Sequence, residues 1–153
     1  MIQEEIRTAI DAFIDLLQNG SNNEQANIRA LELSLDRLAL AYHFAGGAFE
    51  DHDSEAPSQD YDRLRQLAIT RFPIFGYYNE PDNVTEKIGE AELLIGDALD
   101  DIADITAELY QVLWYWQNES SRVALWQFCF GYEHIWGAHL RGLQTYLYAL
   151  MHK

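Results

Sequence analysis

The stretch Leu109–Tyr148 reads LYQVLWYWQNESSRVALWQFCFGYEHIWGAHLRGLQTYLY. It holds all four tryptophans and eleven of the twenty aromatic residues of the chain. Leu109, Val112, Leu113 and Trp116 recur every three or four residues, the period of a helix with one buried face. After Asn118-Glu119-Ser120-Ser121 the pattern resumes, and Leu125, Trp126, Phe128, Cys129, Tyr132, Trp136, Leu140, Leu143 and Leu147 fill more than half of a second helical wheel. So short a connection predicts two helices packed antiparallel. Ala124, Gly131, Ala138, Gly142 and Ala149 share a narrow sector of the second helix, where small residues admit close approach by a neighbour.

The rest of the chain extends the same reading. Ile6, Ile10, Phe13 and Leu17 predict a helix over 1–19 that stops at Asn19-Gly20. Ser21 and Glu24 have capping-box spacing for a second helix over 22–49. Its main stripe is Ile28, Leu31, Leu35, Leu38, Tyr42, Ala45 and Phe49, with Leu33, Leu40 and Phe44 as a second one. An acidic loop follows, in which Asp51-His52-Asp53 is read as solvating the chain. Asp60 caps a short helix over 60–71 that ends before Pro73. The aromatic loop carrying Phe75, Tyr77 and Tyr78 is expected to plug one end of the molecule, with a ligand-facing lid as the alternative. Asn83 and Glu86 then mark the start of a helix over 84–117 that buries Ile88, Leu94 and Ile95, and a last helix covers 121–151. Strand-like alternation is not seen. The expected fold is all-α: a single-domain antiparallel bundle of four long helices plus one short helix.

A chain of 153 residues can bury a core without a metal or disulfide. The lone Cys129 lies among aromatics, where a thiol is inert, and points to a reducing compartment. No apolar run has membrane-spanning length, and a cytoplasmic location is expected. Twenty-five acidic against ten basic residues give a net charge of −15, which disfavours nucleic acid and anionic membranes and favours a basic protein surface.

Polar residues that could carry chemistry lie on the last two helices. Asp97, Asp101, Asp104 and Glu108 are spaced 4, 3 and 4 apart and form one acidic stripe, with Asp100 beside it. Facing them are Glu133, His134, His139 and Arg141. The two histidines are five residues apart, about 140° around the axis, so they do not converge on one ion unaided. The Glu-x-x-His pattern of carboxylate-bridged di-metal bundles is missing. Folding the hairpin at its turn sets Asp104 level with Ile135, and Asp100 level with His139. The expected seam therefore joins Asp101 and Asp104 to His134 and Arg141, as salt bridges or as a cation site of Asp101, Asp104 and His134. A core histidine is expected at His139. No phosphate loop, nucleophile elbow or Cys-x-x-Cys is present, so no catalytic residue and no cofactor are assigned.

Asp100-Asp101-Ile102-Ala103-Asp104-Ile105 and Trp136-Gly137-Ala138-His139-Leu140 together resemble a bacterial helical family known as domain of unknown function 5063. The resemblance runs over about residues 60–152 and implies an all-helical fold without implying an activity. The family pattern places a histidine directly before the tryptophan; here that position is Ile135, with His134 one residue earlier.

The function expected from these features is that of a non-enzymatic module binding another protein, a basic one being favoured by the charge, for instance as a toxin antagonist; a homodimer is a further option. The alternative is a metal- or small-ligand-binding bundle, or an enzyme, that uses the Asp101/Asp104–His134/His139 seam.

Overall fold

The structure, a computed structural model, describes residues 2–153. Its elements are α1 (Gln3–Gln18), α2 (Glu24–Ala45), α3 (Tyr61–Arg71), β1 (Tyr77–Pro81), β2 (Leu93–Asp97), α4 (Ala98–Asn118), α5 (Ser121–Gly131), a π-helical segment (Tyr132–Trp136) and α6 (Gly137–Met151). The chain is mostly helical, and β1 and β2 form a small antiparallel sheet.

Helix α4 is the axis of the molecule and touches α1, α3, α5, the π segment and α6. It can do so because Ala98, Ile102, Ala103, Ile105, Thr106, Leu109 and Val112 are all fully buried, on more than one face of the helix. In one buried cluster with most of them are Phe13, Leu35, Leu38, Phe72, Phe128, Trp136, Leu140 and Leu143. Each such side chain contributes roughly 1.5–3 kcal/mol over an exposed one. The core is therefore ample. No helix among the described residues is long and apolar enough to cross a membrane.

The caps define the boundaries, and several differ from the sequence reading. Asn23, not Ser21, caps α2 by accepting from Ala26 N–H, while Ser21 bonds Asn27 instead. Helix α2 stops at Ala45, where Gly46 takes a left-handed conformation at φ 59°. Phe49 lies outside it and is exposed. Asp60 caps α3, as expected, and Ser120 caps α5.

The largest correction lies between residues 77 and 97. The helix expected over 84–117 begins only at Ala98, and Leu93–Asp97 pairs with Tyr77–Pro81 as a strand. Asn83 does accept backbone N–H groups from Thr85 and Glu86, but it closes a turn and no helix follows. An Asx side chain binds the backbone two or three residues on in either setting, so the signal was real and its context wrong. The true cap is Asp97, whose Oδ1 accepts from Leu99 and Asp100 N–H. Its other oxygen pairs with Arg65 of α3 at 3.0 Å. Ile88, Leu94 and Ile95 are consequently exposed. Of the aromatic loop, Phe72 and Phe75 stack and are buried as a plug, while Tyr77 is exposed.

The last helix is also not uniform. At Tyr132–Trp136 its backbone bonds lengthen to the i→i+5 register, closed by Gly137 N–H on Tyr132 O. A Cβ at Gly137 would stand 2.1 Å from that carbonyl oxygen. The glycine after Trp136 is what lets the turn close.

Candidate functional site

The π turn decides which residues meet α4. It absorbs one extra residue, which rotates everything after it by about 100° relative to a straight helix. Gly131 and His139 are eight apart and would lie about 80° from each other without it; with it they share a face. Both point at α4: a Cβ on Gly131 would lie 3.6 Å from Glu108 Oε2, and His139 reaches Asp101 and Asp104.

His139 stands between two carboxylates. Its Nδ1 lies 2.8 Å from Asp101 Oδ1 and its Nε2 lies 3.2 Å from Asp104 Oδ2. Asp101 is buried, and its second oxygen accepts a 2.5 Å hydrogen bond from the Tyr78 hydroxyl. Asp100, beside it, accepts from the hydroxyl of Tyr61 on α3. Asp100, Asp104 and His139 each offer an atom, all three within 4.8 Å of one another, as a single metal ion would need.

The groups perturb one another in consistent directions. The hydrogen bond to Asp101 raises the His139 pKa against the opposing effect of burial, and Asp104 adds to the rise. Burial raises the Asp104 and Glu108 carboxyls above the ordinary range, Asp104 further through Asp100. Burial and the Asp101 carboxylate push the Tyr78 phenol well above its usual value; burial and Asp100 do the same for Tyr61. Both tyrosines are thus hydroxyl donors at neutral pH.

Tyr78 is placed by two missing side chains. It sits opposite Gly96 in the sheet register, and a Cβ there would fall 2.4 Å from its ring. On the other side, a Cβ at Gly142 of α6 would fall 2.5 Å from its hydroxyl oxygen. Two of the small residues read as a helix-packing stripe therefore serve side chains instead: Gly142 admits Tyr78, and Gly131 lies against Trp136.

The seam expected from the sequence is realised with a different membership. Asp101 and Asp104 are in it, and His139 takes the place foreseen for His134. His134 is exposed and packs beside Phe130. Glu133 turns toward α2 and accepts from the Tyr42 hydroxyl at 2.7 Å, which raises the Tyr42 pKa to about 12. Arg141 donates to the Tyr132 hydroxyl and to Gln144, and Gln144 to Asp36 of α2. A straight helix put His134 and Arg141, two turns apart, on the α4 side; the inserted residue separates them from it. Tyr78, Asp100 and Tyr61 were not joined to the seam in the sequence reading. The overlooked signal was Gly137, a glycine inside an otherwise strong helical pattern.

The family's sequence profile matches residues 2–153, essentially the whole chain. The chain belongs to the family described as Domain of unknown function (DUF5063). The two stretches that carry the resemblance are the two halves of the site: the Asp-Asp-Ile-Ala-Asp run supplies Asp100, Asp101 and Asp104, and Trp-Gly-Ala-His supplies the glycine that closes the π turn and the imidazole it aims. The fold is similar to that in the crystal structure of protein BF1032 from Bacteroides fragilis, with a TM-score of 0.77 at 16% identity. That likeness covers 98% of this chain and 92% of the other. No curated protein matches the chain by sequence.

Proposed function

We propose that this protein binds a divalent cation through His139 Nε2, Asp104 and Asp100, on an antiparallel bundle of four long helices. The observation that carries this reading is the orientation of His139. Its Nδ1 side is tied to Asp101, so Nδ1–H donates to a buried carboxylate and Nε2 faces the two remaining acids. A ligating histidine is held this way, its second nitrogen donating to a carboxylate that fixes the tautomer and raises basicity. Asp101 is itself fixed by Tyr78, so the supporting shell is complete before any ion arrives.

One nitrogen and two or three carboxylate oxygens suit zinc, manganese or ferrous iron better than calcium or magnesium. Three protein ligands leave coordination positions for water or a substrate oxygen, as in catalytic rather than structural sites. The scaffold supplies no further nucleophile from which a reaction can be named.

The test is calorimetric titration of chelator-treated protein with Mn²⁺ and Zn²⁺. One equivalent should bind and raise the melting temperature. Asp104→Asn and His139→Gln should abolish binding, and Asp101→Asn should weaken it about 10–100-fold. Unchanged heats and melting temperature with both ions would sink the reading. The cluster would then be a proton-holding network, with a charged His139 between Asp101 and Asp104.

A further inference from the structure

The two-stranded sheet carries an unused surface at the other side of Tyr78. Paired residues share a face, so Tyr77, Asn79 and Pro81 with Leu93 and Ile95 form the side turned away from the helices, while Asp97 at its end reaches Arg65 of α3. Tyr77, Leu93 and Ile95 are 70%, 68% and 78% exposed, and Val84 and Ile88 in the connecting loop are 77% and 78% exposed. With Leu94, half exposed on the other face, six exposed apolar side chains lie within this one hairpin, which is the mark of a contact surface.

The edge of β1 is open as well. Ala98 N–H bonds Gly76 O, and Asp82 N–H bonds Glu92 O. Those two pairs fix the phase of the ladder: Tyr78 and Glu80 bond inward to β2, while the N–H and C=O groups of Tyr77 and Asn79 point outward. Among the described residues the sheet has no third strand. A groove runs along this edge, walled by Tyr77, Tyr78 and Asn79 on one side and Tyr146, Ala149 and Leu150 of α6 on the other. Three consecutive strand residues line it, so the wall is the strand's edge and not one of its faces.

We infer that β1 accepts an extended segment of a partner protein as a third strand laid in the groove between β1 and α6, and that this segment is apolar at its centre and basic at its flanks. Main-chain bonds to Tyr77 and Asn79 would hold it, and its alternate side chains would meet Tyr146 and Leu150 on one face and Tyr77 on the other. The charge requirement follows from the rim. Residues 77–97 contain Glu80, Asp82, Glu86, Glu90, Glu92 and Asp97 against Lys87 alone, in a chain of net charge −15. Lys153 is the one cation lining the groove, at its far end. A second copy of this chain would bring the same acidic rim against itself, so a basic partner fits and a homodimer does not.

The experiment uses the full chain with a nine-residue peptide, Lys-Lys-Val-Thr-Val-Thr-Val-Lys-Lys, its counterpart with glutamate flanks, and a lysine form N-methylated at alternate residues. The lysine peptide should bind at least about tenfold tighter than the glutamate one at low salt, with the gap closing at high salt. It should shift and protect the Tyr77 and Asn79 amides, and the N-methylated form and the variant Ile95→Lys should lose affinity. Absence of binding by either peptide overturns the proposal. So does equal affinity for the two peptides, or binding that leaves the Tyr77 and Asn79 amides unmoved. Self-association of the free chain that Ile95→Lys abolishes assigns the surface to a second copy, and partition onto neutral vesicles assigns it to a lipid surface; either result also overturns it.

Discussion

The two faces of the β1–β2 hairpin are opposites. On the inner face Tyr78 fits between two glycines and its hydroxyl ends on a buried carboxylate. On the outer face Tyr77 and Ile95, neighbours in the same two strands, touch no core. One strand, five residues long, thus serves a satisfied polar network on one side and an unsatisfied apolar surface on the other. The contrast separates what the fold needs from what it merely carries. Substitutions on the inner network should damage stability, and those on the outer face should leave it unchanged.

The sharpest way to break that contrast is His139→Ala. It leaves Asp101 buried with one oxygen unpaired and should cost about 2–3 kcal/mol in urea denaturation, less than a fully buried pair because His139 is partly exposed. His134→Ala, at an exposed position, should stay within about 0.5 kcal/mol. Equal effects at the two histidines would mean that the π turn does not set the register described.

Gly142→Ala comes next. Its methyl group would overlap the Tyr78 hydroxyl, at an expected cost of about 1–3 kcal/mol. Tyr78→Phe alone should cost about 1–2 kcal/mol through the lost bond to Asp101. The double variant should cost clearly less than the sum, because the phenylalanine has no hydroxyl to displace. Strict additivity would show that Tyr78 does not lie against Gly142.

The smallest effect is on pH. A folded-state histidine pKa raised above its unfolded value stabilises fully below about 6.5, and that contribution disappears as pH rises through the folded value. The raised carboxyls of Asp104 and Glu108 act in the same direction at lower pH, favouring the fold when protonated. Melting temperature without metal should therefore fall as pH rises from the mildly acidic range, with the part above about 6.5 absent in His139→Gln. Added Zn²⁺ or Mn²⁺ should restore it most at the alkaline end, since the ion displaces the proton at Nε2.

Much of this was legible in the chain and some of it was not. The helices at 3–18, 24–45 and 61–71 announced themselves by apolar spacing, and Gly20 and Asp60 marked an end of the first and the third, while the spacing of the second runs on to 49, past Gly46. The level of the seam followed from the short turn at Asn118–Ser121. Two local features defeated the reading. Leu93-Leu94-Ile95 is too short a run to tell strand from helix, and it pairs with a strand containing Pro81, which periodicity does not flag. The π turn adds one residue in the middle of a helix, and a helical wheel assumes none is added, so each phase beyond Trp136 was wrong by one position. Asp101 and Asp104 precede that turn and were placed correctly. His139 and Arg141 follow it: His139 meets the two acids, and Arg141 turns to Tyr132 and Gln144 instead.

The two vacancies around Tyr78 carry a consequence for descent. A tyrosine at 78 is compatible with nothing larger than glycine at 96 and 142, positions that are 46 residues apart in the chain and on different elements. The three should therefore be inherited as one character. Relatives that keep the tyrosine should keep both glycines, and a lineage that replaces it is free to refill both positions. That joint pattern in an alignment would mark which members retain the buried Asp101 support, and so which ones share this site.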